Sequence, residues 1–193
     1  MTFTGKNVVI TGAAGSLGAN KNIVIDTVAP AVVSYNVLFG SQSFNIIGST
    51  RNRLPWTITG IRVVFSKPIT GGNANSLTGP GVTGFSGLGT NTLTWTINPL
   101  VQGNYSTNLA GSGPNALTDA AGNPLAGGAG YTASVKVLMG DFNDDGAVSA
   151  TDLVGISNAR LGAYNVFADI NGDGVVDLND VNLARSSIGR VLP

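Results

Sequence analysis

The sequence predicts a mainly β fold in two parts, a β-sandwich followed by a small α-helical domain. Seven short β-type runs lie between residues 31 and 139, with turn residues crowded into the gaps. Two loops rich in oxygen side chains follow, and each leads into a helical pattern. The charge divides at the same boundary. Residues 1–140 carry seven Lys and Arg against two Asp, a net charge of +5, and residues 141–193 carry three Arg against eight Asp, a net charge of −5.

Residues 1–30 are predicted to form a β-hairpin with strands at 6–11 and 22–26. The glycines of residues 5–18 are spaced like those of a dinucleotide-binding loop. That chemistry needs a helix directly after the glycines to hold the pyrophosphate. A short strand follows instead, so a hairpin loop is the better interpretation. The hairpin is either an edge of the main β domain or the remnant of a preceding repeat.

The main β domain is expected to cover residues 31–139. Its strands are predicted at 31–38, 42–47, 56–66, 82–86, 92–97, 103–109 and 131–138. Two of these runs alternate, which turns one face of each strand towards the core. The core-facing residues would be Ile61, Val63, Phe65, Leu93, Trp95 and Ile97. Seven short strands in a segment of this length are typical of an immunoglobulin-like sandwich.

The aromatic residues of this domain have two interpretations. The residues are Tyr35, Trp56, Trp95, Tyr105 and Tyr131. They would either form an exposed strip that stacks on sugars or belong to the core, and aromatic residues on alternating strands favour the core. Asp119 also has two interpretations. It is expected to accept hydrogen bonds from nearby backbone N–H groups in a turn, rather than to form a third metal site.

Three segments of this domain resemble landmarks of the bacterial immunoglobulin-like repeats of S-layer and multidomain secreted proteins. They are residues 61–68 (IRVVFSKP), 100–105 (LVQGNY) and 117–125 (LTDAAGNPL). Residues 25–30 (IDTVAP) resemble the junction between two such repeats. The resemblance implies that the domain is an Ig-like spacer within a larger secreted protein.

Two twelve-residue loops carry oxygen side chains at the same positions. These are positions one, three, five, nine and twelve, with Gly at six, and the second loop begins 28 residues after the first. This is the ligand order of a calcium loop, in which position seven contributes its backbone carbonyl. The expected ligands of two Ca²⁺ ions are Asp141, Asn143, Asp145, Ala147, Ser149 and Asp152, then Asp169, Asn171, Asp173, Val175, Asp177 and Asp180.

The simpler alternative is a pair of surface turns, since Asp, Asn and Gly favour turns for backbone reasons. The shared register and the helical pattern after each loop favour calcium. Residues 140–193 are too few for a large core, and the carboxylates gathered in each loop repel one another. We therefore expect this segment to be largely unfolded without metal. The second loop has four ligand Asp against three in the first, so it is expected to bind more tightly.

The small domain is also expected to have a specific internal packing. Val148 and Val176, both at position eight, would pair as a short β-bridge between the two loops. An antiparallel pair of helices would then form the core. The core residues of these helices would be Leu153, Ile156, Leu161, Val181, Leu183 and Ile188.

Residues 140–190 resemble the dockerin type I module. Both copies of the motif D-x-N-x-D-G-x-V-x-x-x-D are complete, and the segment that enters the first loop is strand-like rather than helical. The resemblance implies a small helical domain with two calcium loops of the F-hand type over residues 140–193. In that family the module docks onto cohesin domains. It thereby joins secreted proteins, often polysaccharide-degrading enzymes, to a scaffold or a cell surface.

The resemblance also maps the family's recognition positions onto this chain. They fall on Ala150, Thr151, Ser157, Asn158, Leu178, Asn179, Arg185 and Ser186. The family's best-known members carry Ser-Thr and Lys-Arg at such places, and this chain does not. The identity of the partner is therefore left open between a cohesin-type domain and another surface protein.

The chain contains no Cys, no His and no Glu. This excludes thiol nucleophiles, Ser-His-Asp triads and His or Cys zinc sites, so no enzyme is expected within the sequence. The sparse, balanced charge favours neither nucleic acid nor an acidic membrane, and no apolar run is long enough to span a bilayer. We expect a secreted or cell-surface, monomeric attachment segment. The alternative is a structural or adhesion segment that calcium stiffens and that has no cohesin partner.

Overall fold

The computed structural model describes residues 26–193. Most of the predicted hairpin of residues 1–30 therefore lies outside the described residues. Its last five residues, 26–30, are irregular. The elements that follow are β1 (Val32–Phe39), β2 (Gln42–Asn45), β3 (Ile58–Phe65), β4 (Leu77–Thr78), β5 (Val82–Ser86), β6 (Thr92–Leu100), β7 (Gln102–Leu109), β8 (Tyr131–Leu138), α1 (Ala150–Ala159) and α2 (Leu178–Arg185).

The strands form two antiparallel sheets. The first has the order β2-β1-β3-β6-β5 and the second the order β4-β7-β8. All seven predicted strands are present, and some of their ends differ from the prediction by one to three residues. Among the strands of residues 26–193, only the two-residue strand β4 was not predicted. The described chain is thus mainly β with two short helices near its end. This confirms the predicted order of a β part followed by a small helical part, and the immunoglobulin-like topology stays a prediction.

The inner faces of the two sheets enclose one apolar core. Across β3 and β6, Ile61 lies opposite Trp95 and Val63 lies opposite Leu93. These four side chains are at most 1% exposed, and the alternation predicted for both strands is confirmed. Val137, on β8 of the second sheet, is buried in the same cluster. Because β3 is the central strand of the first sheet, its apolar face lies in the middle of the core.

Three of the five aromatic residues with two interpretations are fully buried, namely Tyr35, Trp56 and Trp95. They cannot form an exposed strip for sugars, and the core interpretation is confirmed for them. The Tyr35 hydroxyl lies 2.7 Å from Oγ1 of Thr107 on the opposite sheet. Burial of this hydroxyl raises the pKa of Tyr35. The pair provides a polar contact between the two sheets inside the core.

Asp119 stabilises a turn, as predicted. Its Oδ1 accepts hydrogen bonds from the backbone N–H groups of Ala121 at 3.0 Å and Asn123 at 2.9 Å. Its Oδ2 lies 3.2 Å from Nζ of Lys67, which also lies 2.8 Å from the carboxylate of Asp26. The Lys67 ammonium therefore occupies the place beside Asp119 that a third metal ion would need. Through its contact with Asp26, Lys67 also holds the segment of residues 26–30 against the β-sandwich.

The two helices enclose a second, small core. Its buried residues are Ile156, Ala168, Ile170, Val181 and Ala184, with Leu153 half-buried beside them. The prediction is wrong for three residues, since Leu161, Leu183 and Ile188 are 87%, 37% and 50% exposed. The helices are shorter than the sequence pattern suggested, so residues 161 and 188 lie beyond their ends. In α2 the inward positions are 181 and 184, which turns residue 183 outwards.

The predicted bridge between Val148 and Val176 is also wrong. The Val148 N–H donates to the Arg190 carbonyl at 2.9 Å, and the Val148 carbonyl accepts from the Gly189 N–H at 2.9 Å. Next to it, Ala147 forms an isolated antiparallel bridge with Val191. Both backbone groups of Val148 are therefore taken by the segment after α2, and none is left for the second loop.

The β-sandwich and the helical part are in direct contact. The Trp56 indole N–H donates to the Val166 carbonyl at 3.0 Å. The Trp56 ring stacks on Phe39 with 3.9 Å between centroids and on Phe167 with 5.5 Å between centroids. Val166 and Phe167, from the segment between the helices, pack against the core of the sandwich. Residues 140–193 thus bury part of their apolar surface against the sheets.

Candidate metal centres

The first loop folds around two fully buried carboxylates, Asp141 and Asp152. Asp141 accepts hydrogen bonds from the backbone N–H groups of loop positions five and six at 3.2 and 3.1 Å. Asp152 accepts from those of positions three and nine at 3.1 and 2.8 Å. The Asp152 carboxylate lies close enough to Asp141 for its negative charge to act on that residue. The loop thus brings together its first and last predicted ligands.

The second loop repeats this arrangement around Asp169 and Asp180, which are also fully buried. Asp169 accepts from the N–H groups of positions five and six at 3.1 and 2.9 Å. Asp180 accepts from those of positions two, three and nine at 2.7, 3.1 and 2.8 Å. The repeat in the sequence is therefore a repeat in backbone hydrogen bonding, which two unrelated turns would not share.

Positions three and five form a side-chain pair in each loop. The amide nitrogen of Asn143 donates to Asp145 at 2.8 Å, and that of Asn171 donates to Asp173 at 2.8 Å. Both Asp residues are exposed and lie at the open rim of their loops. The glycine that follows each of them has the left-handed backbone predicted for position six, with φ values of +91° and +93°.

Position seven is Ala147 in the first loop and Val175 in the second. In each loop its backbone N–H donates to the Asp at position five, at 2.9 Å in both cases. Position seven was predicted to contribute only its backbone carbonyl, and an apolar side chain suits that role. Val175 is exposed and Ala147 is half-buried.

Position nine has a structural role that sequence analysis missed. Ser149 and Asp177 are the N-cap residues of α1 and α2, and their side chains accept from the backbone N–H groups two residues further on. The Asp at position twelve completes a capping box in both helices. The patterns Ser-x-x-Asp and Asp-x-x-Asp before a helix are the signal that could have found it. A side chain used in this way would reach an ion most readily through a water molecule.

The buried carboxylates carry an electrostatic cost that a cation would offset. Burial raises the pKa of Asp141 and that of Asp180, because a charge in a poorly hydrated site is disfavoured. At the rim the effect is opposite, since the hydrogen bond from the Ala147 N–H lowers the pKa of Asp145. A divalent cation would compensate the clustered negative charge of each loop.

Within residues 26–193, no three or more Asp, Glu, His or Cys side chains are gathered closely enough to hold a metal ion by themselves. A complete ligand set in these loops would therefore include the Asn amide oxygen of position three and the backbone carbonyl of position seven. All of these donors are oxygen atoms, which suits Ca²⁺ and does not suit zinc. The residues present fit a calcium ion in each loop.

Two further residues in or beside the loops were not found by sequence reasoning. Asp144, at position four of the first loop, has φ +64° and points its carboxylate at residues 52 and 53 of the β-sandwich. The Tyr164 hydroxyl donates to the Asp169 carboxylate at 2.8 Å. Burial and this hydrogen bond raise the pKa of Tyr164. Neither residue belongs to the ligand pattern, so no spacing in the sequence pointed to them.

The eight predicted recognition residues lie on the two helices and just after α2. Ser157 is half-buried, and the other seven residues are exposed. Large apolar side chains on the same helices are exposed as well, including Val154 on α1 and Leu178 and Leu183 on α2.

Comparison with known families gives one result that covers both loops and both helices. Residues 139–188 match the dockerin type I domain. Dockerin type I domains bind calcium, and a dockerin is a non-catalytic module for calcium-dependent attachment of one protein to another. Dockerin modules occur in extracellular or cell-surface proteins and bind cohesins. The β-rich region before the matched segment is consistent with an Ig-like domain.

Comparisons with curated proteins and with solved structures found no match. Neither helix in residues 26–193 has the length and apolar character needed to span a membrane.

Proposed function

We propose that residues 140–193 bind two Ca²⁺ ions and dock onto a cohesin-type domain, and that residues 31–139 are the Ig-like spacer that carries this dockerin in a larger secreted protein. The observation that carries the proposal is the duplicated loop, whose backbone hydrogen bonds recur at the same positions in both copies. The twelve proposed ligands are those of the two loops. Two Ca²⁺ ions would bring four positive charges to a segment whose net charge is −5.

The proposed docking surface consists of the exposed residues of α1 and α2 and lies apart from the contact with the β-sandwich. That contact is made by the loops, by residues 166 and 167 and by residues 191–193. The recognition positions are not among them, and seven of the eight are exposed. Since the loops end where the helices begin, binding an ion would order the first turn of each helix. This gives a physical reason for docking to depend on calcium.

Calcium-dependent capture by cohesins tests the proposal. The whole chain is passed over a panel of immobilised cohesin domains in calcium and then in excess chelator. We expect retention by at least one cohesin in calcium and release in chelator. Arg185→Ala, on the exposed side of α2, should weaken retention, whereas Arg62→Ala on the β-sandwich should not. Failure to bind any cohesin while calcium still binds would reject the docking proposal and leave the metal sites intact.

A second candidate function is structural, and the recognition residues favour it. Ala150, Leu178 and Asn179 differ from the Ser-Thr pair that the best-known dockerins carry, so calcium would serve here to stiffen a cell-surface or adhesion segment. This function predicts that calcium raises the melting temperature while no cohesin is bound. A link to polysaccharide degradation would come from the rest of the larger protein and is tested by identifying the proteins retained on the same cohesin.

A further inference from the structure

Both calcium loops contact the β-sandwich through the residue at position four. In the first loop, the Asp144 carboxylate accepts hydrogen bonds from the backbone N–H groups of Asn52 and Arg53, both at 2.8 Å. In the second loop, the Gly172 carbonyl accepts from the Ser41 N–H at 2.7 Å and from the Ser41 hydroxyl at 2.9 Å. The two copies thus use the same position with different chemical groups.

Position four is well suited to this contact because it is not among the expected ligands. Asp144 and Gly172 both have left-handed backbone, with φ values of +64° and +70°. In each loop the group that meets the β-sandwich belongs to this residue and not to an expected ligand. The β-sandwich can therefore hold each loop without competing with an ion for an oxygen atom.

The contact at the second loop leaves no free space. A Cβ added at Gly40 would lie 2.3 Å from the Asn171 carbonyl oxygen and 2.5 Å from that of Gly172. A Cβ added at Gly172 would lie 2.3 Å from the carbonyl oxygen of Phe39. These three neighbours are backbone oxygen atoms, which cannot give way as a flexible side chain can. The turn after β1 is therefore fitted directly against the second loop.

The first loop is held by an arginine as well. The Arg51 guanidinium donates to the carbonyl oxygens of Phe142, at 2.8 Å, and of Asp141. Its central carbon lies 4.4 Å from the centre of the Phe167 ring. Arg51 thus joins the β-sandwich to the start of the first loop and to the segment that leads into the second loop.

We propose that the β-sandwich sets the calcium affinity of both loops, with Gly40, Ser41 and residues 51–53 acting as positioning residues. This inference rests on the proposed binding of calcium by the two loops. Ordering a free loop around an ion costs conformational entropy, which reduces the affinity that is measured. A loop already held at position four loses less entropy when the ion binds. The affinity of each loop therefore depends on contacts outside its own twelve residues.

A matched pair of glycine substitutions tests the contact at the second loop. Gly40→Ala places a methyl group against residues 171 and 172, whereas a Cβ at Gly48, in another turn of the same sheet, has nothing within 4 Å. Both glycines have positive φ, +50° and +76°, so both substitutions strain the backbone. Calcium is removed from the whole chain with a chelator and returned by calorimetric titration. Asp180→Asn identifies the binding step that belongs to the second loop.

We expect Gly40→Ala to weaken calcium at the second loop about tenfold or more, the effect typical of groups that support metal ligands from behind. Gly48→Ala should leave both affinities within about twofold of the unsubstituted chain, in line with its lack of contacts. Equal affinities in the two variants would overturn the inference.

A pair of arginine substitutions tests the first loop. It still shows whether the β-sandwich sets calcium affinity if Gly40→Ala does not fold. Arg51→Gln and Arg62→Gln remove the same charge, but only Arg51 donates to the loop. Loss of a nearby positive charge would by itself strengthen calcium binding. A weakening of about tenfold at the first loop in Arg51→Gln alone would therefore show positioning.

Calcium affinities in Arg51→Gln that match those in Arg62→Gln, or exceed them, would overturn the inference for the first loop. In that case the unsubstituted chain still takes up two ions, and the proposed function stands. If the unsubstituted chain itself takes up no calcium, the proposed function fails first. The two failures are therefore distinguishable in one set of titrations.

Discussion

At the scale of single residues, the last Asp of each loop combines three roles. Asp152 and Asp180 close their loops by accepting backbone hydrogen bonds, complete the capping boxes of α1 and α2, and are proposed to bind the ions. The pattern of the sequence suggested only the third role. The other two depend on how the backbone turns around a buried carboxylate, and that geometry is visible only once the loop is folded.

Replacement of these two residues should remove one calcium site each. Asp152→Asn and Asp180→Asn keep the shape of the side chain but lose a charged oxygen, so we expect calcium affinity at the altered loop to fall by more than about tenfold. Calorimetric titration measures both sites, and Asp26→Asn, far along the chain from the loops, serves as the control. The second loop is predicted to bind more tightly. A tighter remaining site in Asp180→Asn than in Asp152→Asn would contradict that ranking.

The Lys67 cluster predicts how the stability of the β-sandwich depends on pH. The hydrogen bond to Lys67 lowers the pKa of Asp26 below its ordinary value of 3.8, and the hydrogen bond to Asp26 raises the pKa of Lys67 above 10.5. Burial acts to raise the pKa of Asp119, but the hydrogen bonds from Asn123 and Lys67 outweigh it and lower that pKa. The stabilisation should therefore be complete between these two ordinary values. It is lost as the pH falls through the lowered Asp values, and also as the pH rises through the raised Lys67 value.

Lys67→Met is the variant that isolates this effect. We expect it to melt at a lower temperature than the unsubstituted chain near pH 7, and we expect the difference to shrink as the pH falls below about 4. Thermal unfolding is followed in saturating calcium, and the difference between the two chains cancels the titration of the loops. A difference that stayed constant from pH 7 to pH 3 would rule out this role for Lys67.

At the scale of elements, the strands could be predicted and the ends of the helices could not. Residues 61, 63 and 65 alternate clearly because β3 is buried on one face only, and that alternation is visible in the sequence. The helices are short, and the C-cap residues Arg160 and Ser186 carry no distinctive sequence signal. The predicted core therefore ran past both ends and included Leu161 and Ile188.

The corrected core of the helices can be tested with two substitutions of similar size. Ile156 is fully buried and Leu161 is 87% exposed, although both were predicted to be core residues. Ile156→Ala should lower the free energy of unfolding by about 2–5 kcal/mol because it leaves a cavity. Leu161→Ala should change it by less than about 0.5 kcal/mol. Urea unfolding in saturating calcium measures both, and equal losses would mean that Leu161 is buried in solution.

At the scale of the whole molecule, the two parts of the chain are joined by contacts that no sequence pattern displays. Several of these contacts end on backbone groups, such as the carbonyl oxygens of Val166 and Gly172. Every residue has a carbonyl group, so the amino-acid type of a residue does not reveal that its carbonyl makes such a contact. The ligand positions, by contrast, were predictable because calcium selects side chains by chemistry and spacing.

Trp56 should report the loss of calcium from the neighbouring loops. Its indole donates to Val166 and stacks on Phe167, both of which lie in the segment between the helices. If residues 140–193 unfold when calcium is removed, Trp56 becomes exposed and its fluorescence should shift to longer wavelength. Trp95→Phe leaves Trp56 as the only indole for this measurement.

The matching control is Trp56→Phe, which leaves Trp95 inside the β-sandwich, where we expect chelation to leave the emission unchanged. Restoring calcium should reverse the shift of Trp56. Emission from Trp56 that did not respond to chelator would show that the helical part keeps its fold without metal. The expectation that this part unfolds without metal would then be wrong.

The hydrogen bonds between the β-sandwich and position four of both loops have a mechanical consequence. A pull exerted by a partner on the exposed helices would pass into the sheets in part through the two loops that hold the proposed ions. The contacts at position four would thus transmit part of the force, and calcium binding would stabilise the loops that make them. A fall in calcium would then weaken this part of the attachment between the helices and the sheets.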